Sequence, residues 1–316
     1  MTPFEKFGRQ KVGFYIGLTL AVATLHSWLG LAKSPSDLAF GNVQFEQSVL
    51  QKGIIDAENC KWSMAISNFT KAISLCPADS GAYNCRGVVY YVNGDLKSAI
   101  IDYSHCIQLD PFNYNSHLNR GNAYKAMQEC QKAVNDFNEC TQYCPTNYLA
   151  YKDRASVFSL KTNYEMAIKD ITTSLSLNPK DSDAFVFRAD MNLKRRHYKE
   201  AILDYKSAIL IDPNNLNGYN DYAWFLATCS DASFRNSKNA IENAAKACQV
   251  AGWSRWETVD TLGVSYASSG NFEAAIMYEE RAVNAKSIDG TSRGNIQKRI
   301  LLFKQNRSFI DNGVSN

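Results

Sequence analysis

Residues 85–111 read CRGVVYYVNGDLKSAIIDYSHCIQLDP, and residues 119–145 read NRGNAYKAMQECQKAVNDFNECTQYCP. Laid in register, the two segments align at an offset of 34 residues. Self-similarity at a fixed period of roughly 20–50 residues marks a chain built from stacked supersecondary units. The same spacing runs well beyond these two segments. Pro77, Pro111, Pro145, Pro179 and Pro213 form one column, Ala65, Ala99, Ala133, Ala167 and Ala201 a second, and Gly53, Gly87, Gly121, Ala155 and Ala189 a third.

Within one repeat the apolar spacing is helical twice over. Tyr83, Gly87 and Tyr90 share a face, and Asn93-Gly94 then breaks the pattern. Leu96, Ala99, Tyr103 and Cys106 define a second face, which Asp110-Pro111 ends. Small residues in the glycine and alanine columns let two helices approach closely. The unit is a helix–turn–helix, and the predicted class is all-α.

One charged residue interrupts the apolar text. Arg86 lies between Tyr83 and Tyr90 and recurs as Arg120, Arg154 and Arg188. Sixteen residues after each stands an aspartate: Asp102, Asp136, Asp170 and Asp204. Repeats that lack the arginine lack the aspartate too, with Lys52 and Asn68 in the first and Leu262 and Tyr278 in the last. A buried guanidinium is costly unless paired, and its planar fork matches a carboxylate. We expect structural ion pairs here, within a hairpin or between neighbouring hairpins, rather than a ligand-binding arginine row.

These glycine/alanine, aromatic, alanine and proline columns resemble the tetratricopeptide repeat family. The resemblance covers Glu46 to Asn215 as five regular units (46–215), with two variant units at 216–290 and a capping helix and tail at 291–316. It implies a right-handed superhelical solenoid of about seven repeats that binds other proteins along the groove lined by first helices. The positions it implies for that groove are Asn84, Val88, Tyr91, Asn115, Leu118, Asn122, Lys125, Lys152, Asp183, Asp190 and Lys194. Side-chain amides both donate and accept, so Asn84, Asn115 and Asn122 suit an extended peptide backbone; equally, they suit an exposed polar surface. The family's clamp for a C-terminal carboxylate needs Lys and Asn at fixed positions of one repeat. It is not met here, because Lys152 is followed by Ser156 and Asn122 is preceded by Leu118.

After Pro213 the second-helix alanine is delayed to Ala240, which lengthens the turn around Cys229–Ala232. Repeat arrays need a final helix with one polar face. Residues 296–309 fit one, with Ile296, Ile300, Leu301 and Phe303 apolar and basic residues opposite. Tyr91 and Trp224 read as isolated aromatics in the groove, which argues against a sugar-binding aromatic row.

The N-terminus differs in kind. Lys6, Arg9 and Lys11 precede an apolar run over residues 12–32. A helix of about 20 apolar residues spans a bilayer, and the positive flank would hold the N-terminus in the cytoplasm. We expect a single-pass anchor with the repeats on the exported, periplasmic side. A cleaved signal peptide with a secreted product and a buried helix stay open as alternatives. Residues 33–45 read as a linker.

The formal charge of the chain is +3, and residues 1–32 contribute +2 of it. Such balance excludes the basic stripe of a nucleic-acid binder. The nine cysteines show no C-x-x-C pair and no Cys/His cluster at zinc spacing, so most read as small apolar packing residues. No phosphate loop, nucleophile elbow, H-E-x-x-H or dinucleotide fingerprint is present, which argues against an enzyme, a small-molecule substrate, a cofactor or a metal. The expected function is a protein-interaction scaffold or adaptor tethered to or exported across a membrane. The alternative is a permanent structural subunit of an envelope or secretion assembly.

Overall fold

The computed structural model describes residues 37–311. Fifteen α-helices and one short 3₁₀ turn follow one another there, packed in consecutive pairs. The chain divides into two compact bodies, residues 1–161 and 162–316.

In the first body, α1 (Asp37–Glu58) pairs with α2 (Trp62–Leu75), α3 (Ser80–Val92) with α4 (Leu96–Leu109), and α5 (Tyr114–Ala126) with α6 (Cys130–Tyr143). Helix α7 (Tyr148–Leu160) packs on α6. The second body opens with α8 (Tyr164–Leu177), packed on α9 (Ser182–Lys194), which pairs with α10 (Tyr198–Ile211). Then α11 (Leu216–Thr228) pairs with α12 (Ser237–Val250), α13 (Trp256–Ser268) with α14 (Phe272–Val283), and α15 (Gly290–Phe303) lies on α14.

Each repeat starts in the same way. Two residues after each column proline comes Asp79, Asn113, Asn147, Asp181 or Asn215, whose side chain accepts from a backbone N–H of the following helix. Such a cap stabilises a helix by about 1 kcal/mol relative to alanine. The turn inside each hairpin also recurs. Cys60, Gly94, Gln128, Thr162 and Arg196 all have left-handed backbone, with φ of 59°, 86°, 62°, 56° and 59°. Only one of the five is glycine, so four positions hold a conformation that L side chains disfavour.

The glycine column works by close approach. A Cβ on Gly87 would sit 2.7 Å from the Tyr103 ring, and one on Gly121 would sit 2.7 Å from the Phe137 ring. Both rings are buried to 1% exposure or less.

Three expectations from the sequence are corrected. The location, membrane-anchored with exported repeats, is withdrawn: among the described residues no helix is long and apolar enough to cross a membrane. The run 12–32 that prompted it lies outside the described residues. Helix α1 already begins at Asp37, inside the segment 33–45 read as a linker; Ser and Asp before an apolar stretch signal a helix start as readily as a loop. In the capping helix Leu301 is 61% exposed and Arg299 is buried. The arginine is drawn inward by two acids, Asp260 of α13 and Glu279 of α14, which it bonds through Nη2 and Nε.

Candidate functional site

The arginine and aspartate columns come together in three hairpins. Arg86 donates through Nε and Nη2 to the two carboxylate oxygens of Asp102, both at 2.8 Å. Arg120 holds Asp136 at 2.9 and 2.7 Å, and Arg188 holds Asp204 at 2.9 and 2.7 Å. Each aspartate is buried, and each arginine keeps one edge toward water. Two parallel charge-assisted bonds fix the orientation of the first helix against the second. Arg154 lies in the first body and Asp170, also buried, in the second.

A third partner was not anticipated. The remaining nitrogen, Nη1, reaches back to the preceding hairpin: Arg86 to Thr70 at 3.0 Å, Arg120 to Ser104 at 3.0 Å, and Arg188 to Thr172 at 3.1 Å. Arg154 uses Asn138 and Thr141 likewise. The signal was present in the sequence, because Thr70, Ser104, Asn138 and Thr172 stand 34 apart. In the last repeat, Tyr278 occupies the aspartate column and stacks on Tyr266 and Trp253, with Arg281 over the indole.

The groove positions fall into three groups. Asn84, Val88 and Leu118 are buried rather than presented to a partner. Asn84 is covered because its amide oxygen accepts from Ser116 at 3.0 Å and from Asn119 at 3.2 Å, both on α5. Val88 packs beside Tyr91 in the α3–α5 core, and Leu118 beside Val134 and Ala150. A second group is half-exposed and bonded along the first helices: Asn122 and Lys125 both donate to Asp153 of α7, at 3.1 and 2.5 Å. Asn115 and Lys152 are also half-exposed. The third group lies in the second body. Asp183 accepts from Asn215 at 3.1 Å, while Asp190 and Lys194 line a cleft of about 820 Å³.

That cleft is bounded by three first helices. From α9 come Asp190 and Lys194, from α11 Asn220, Asp221 and Trp224, and from α13 Trp256, Glu257 and Asp260. Tyr205 of α10 closes its floor and donates its hydroxyl to Asp190 at 2.6 Å. Burial, and then the neighbouring charge of Asp221, push the Asp190 carboxyl up to about 7. Trp224, read as an isolated aromatic, is part of a cluster: Phe309 lies 6.0 Å away and the Arg299 guanidinium 5.5 Å from its ring.

The last described residues run along this face. Ser308 donates to the Ala267 carbonyl at 2.8 Å, the Asp311 amide donates to the Thr228 carbonyl at 2.9 Å, and Trp224 Nε1 donates to Asp311 at 3.1 Å. Among the described residues no group of three or more His, Cys, Asp or Glu side chains is arranged to hold a metal ion. Cys85 and Cys140 are buried thiols pushed up to about 12 by desolvation, so neither is a nucleophile near neutral pH.

Residues 80–113 and 114–147 each match the family model described as tetratricopeptide repeat. Residues 80–147 carry two tetratricopeptide repeats. No curated protein matches it in sequence. Its fold is similar to that of the solved structure described as Pseudomonas aeruginosa pilF, with a TM-score of 0.58 and 17% identity over 66% of this chain and 93% of that one. It is also similar to a crystal structure of MamA protein, with a TM-score of 0.50 and 17% identity over 54% of this chain and 92% of that one. At such identities the likeness is one of fold.

Proposed function

We propose that this chain is a protein-interaction scaffold that binds an extended segment of a partner along its first-helix faces, without bond chemistry of its own. The observation that carries the reading is the chain's own segment 308–311. It lies across α11 and α13, held by a backbone N–H bond to the Thr228 carbonyl, by the Trp224 indole and by Phe309 against that indole. Backbone bonds supply affinity without sequence preference, and aromatic anchors supply selectivity. In the first body, the half-exposed Asn115, Asn122, Lys125 and Lys152 offer amides and ammonium groups for a second stretch of such contact. Tyr91 adds a half-exposed ring beside them.

Panning a phage-displayed library of random dozen-residue peptides on the full chain tests this reading. Enriched peptides should lose binding to Trp224→Ala or to Asn122→Ala, each shown to be folded by circular dichroism. A library that yields no enrichment, or binders indifferent to both substitutions, refutes it.

A further inference from the structure

The five extra residues that delay Ala240 build a docking edge. In a regular hairpin a left-handed residue such as Gln128 turns the chain straight into the second helix. After α11 the chain leaves instead through Cys229 at φ −49° and ψ 132°, and residues 229–236 carry it round to α12. The Thr228 carbonyl, last of α11, accepts from the Asp311 amide at 2.9 Å. Cys229 and Asp311 lie side by side as a single parallel bridge.

A repeat-like turn delivers the segment to that edge. Asn306 follows α15 with φ 55°; its amide bonds the Phe303 carbonyl, and the Arg307 amide bonds the Leu302 carbonyl. Gln128 and Glu129 make the same pair of bonds, to Lys125 and Tyr124. There a second helix follows; here residues 307–311 run across the C-terminal ends of α13 and α11. Their hold is slight. Beyond the Thr228 bond it consists of Ser308 on the Ala267 carbonyl, Phe309 between the Trp224 indole and the Arg299 guanidinium, and the Trp224 Nε1 bond to Asp311. Ser308 is exposed, and Phe309, Ile310 and Asp311 are only half-buried. Segments with so few buried contacts open at the low end of local stability. The groups they leave behind, a helix-terminal carbonyl and an indole N–H, then call for replacement partners. An extended chain supplies them with a main-chain N–H, an acidic side chain on the same residue, and a ring two residues earlier.

We propose that residues 308–311 are a tethered occupant of the first-helix groove, displaced by a partner segment of the same pattern: an aromatic residue followed two positions later by an acidic one. The inference rests on the scaffold reading above and adds the class of ligand and its regulation. Tethering sets the bar for that partner, because a short linker holds its end at an effective concentration of about millimolar. Loosening the tail therefore raises the affinity for a free peptide.

A labelled peptide copying residues 304–311, KQNRSFID, tests the proposal by fluorescence anisotropy against the full chain and against Phe309→Ser with Asp311→Ser. It should bind the substituted chain at least tenfold more tightly, and adding Trp224→Ala should abolish that gain. A second reading needs no variant: excess peptide should speed hydrogen exchange of the Asp311 amide in the unsubstituted chain, followed by nuclear magnetic resonance. Equal affinity for the two chains, with Asp311 exchange unchanged, overturns the tethered occupant. In that event panned peptides that still need Trp224 leave the scaffold reading standing; if neither they nor the tail copy bind either chain, both fall. Dimers in sedimentation that vanish on Phe309→Ser would place a second copy's tail in the groove and overturn the intramolecular assignment.

Discussion

Removing the carboxylate from Asp136 strands a guanidinium, and the structure sets how much that costs. Arg120 gives Asp136 two charge-assisted bonds at 2.9 and 2.7 Å and gives Ser104 one at 3.0 Å, with side chains 19% and 6% exposed. Breaking a buried pair from one side typically costs about 3–5 kcal/mol, because the remaining charge is left uncompensated. After Asp136→Ala the guanidinium keeps Ser104 and reaches water at its exposed edge, so the loss should fall near the lower end, about 3 kcal/mol. Arg120→Met leaves the more deeply buried partner behind. His117 Nδ1 lies 3.4 Å from the same carboxylate. The double variant Arg120→Met with Asp136→Leu removes both charges and replaces them with apolar volume, which should cost less than the sum of the singles. The coupling energy should reach about 2–3 kcal/mol. Urea unfolding of the full chain followed by circular dichroism, with slopes compared across all four proteins, measures it. Additivity within about 0.5 kcal/mol would show that the pair does not act as a unit.

Two further outcomes follow from the turn column and the terminal acids. Gln128, exposed and left-handed at φ 62°, should gain on replacement by glycine: relief of about 1–2 kcal/mol of backbone strain exceeds the added chain entropy of about 0.5–1 kcal/mol. A fall in melting temperature for Gln128→Gly would contradict this. Glu279 is pushed up to about 9 by burial and then by Asp260. Because its folded value lies above the unfolded value of 4.5, its contribution to stability is full below about pH 4.5 and is lost as pH rises through 9. Melting temperature should therefore decline from pH 5 to pH 9, and Glu279→Gln should flatten that decline. Parallel profiles for the two proteins would refute the assignment.

The regular helices and their pairing were legible because each repeat states them again. One proline-to-cap interval or one alanine face is weak; five in register leave no alternative period. The Arg–Asp fork was legible by the same logic, since Asn68 and Tyr278 stand where the aspartate is missing. In the structure Asn68 donates to Asp56 instead, and Tyr278 joins an aromatic stack. What the period conceals is packing between successive hairpins. Asn84 looks like a groove residue within its own helix, and only the arrival of Ser116 and Asn119 covers it. Arg299 belongs to no column, and its two acids lie 39 and 20 residues away. Periodicity carries no trace of such a contact. The cleft likewise draws on Asp190, Trp224 and Asp260 from three different repeats, so its charge emerges only once those helices stand side by side.

The backward reach of the arginines bears on how the protein yields under strain. Arg86, Arg120 and Arg188 each spend two donors inside the hairpin and one on the hydroxyl behind it, so a share of their stabilisation exists only while neighbours remain joined. In a linear array, interface terms of this kind decide whether segments melt one by one or together. Hairpins tied by Thr70, Ser104 and Thr172 should resist separation under a pulling force, whereas the last repeat has stacked rings at that column and takes its ionic tie from the capping helix, through Arg299 on Asp260 and Glu279.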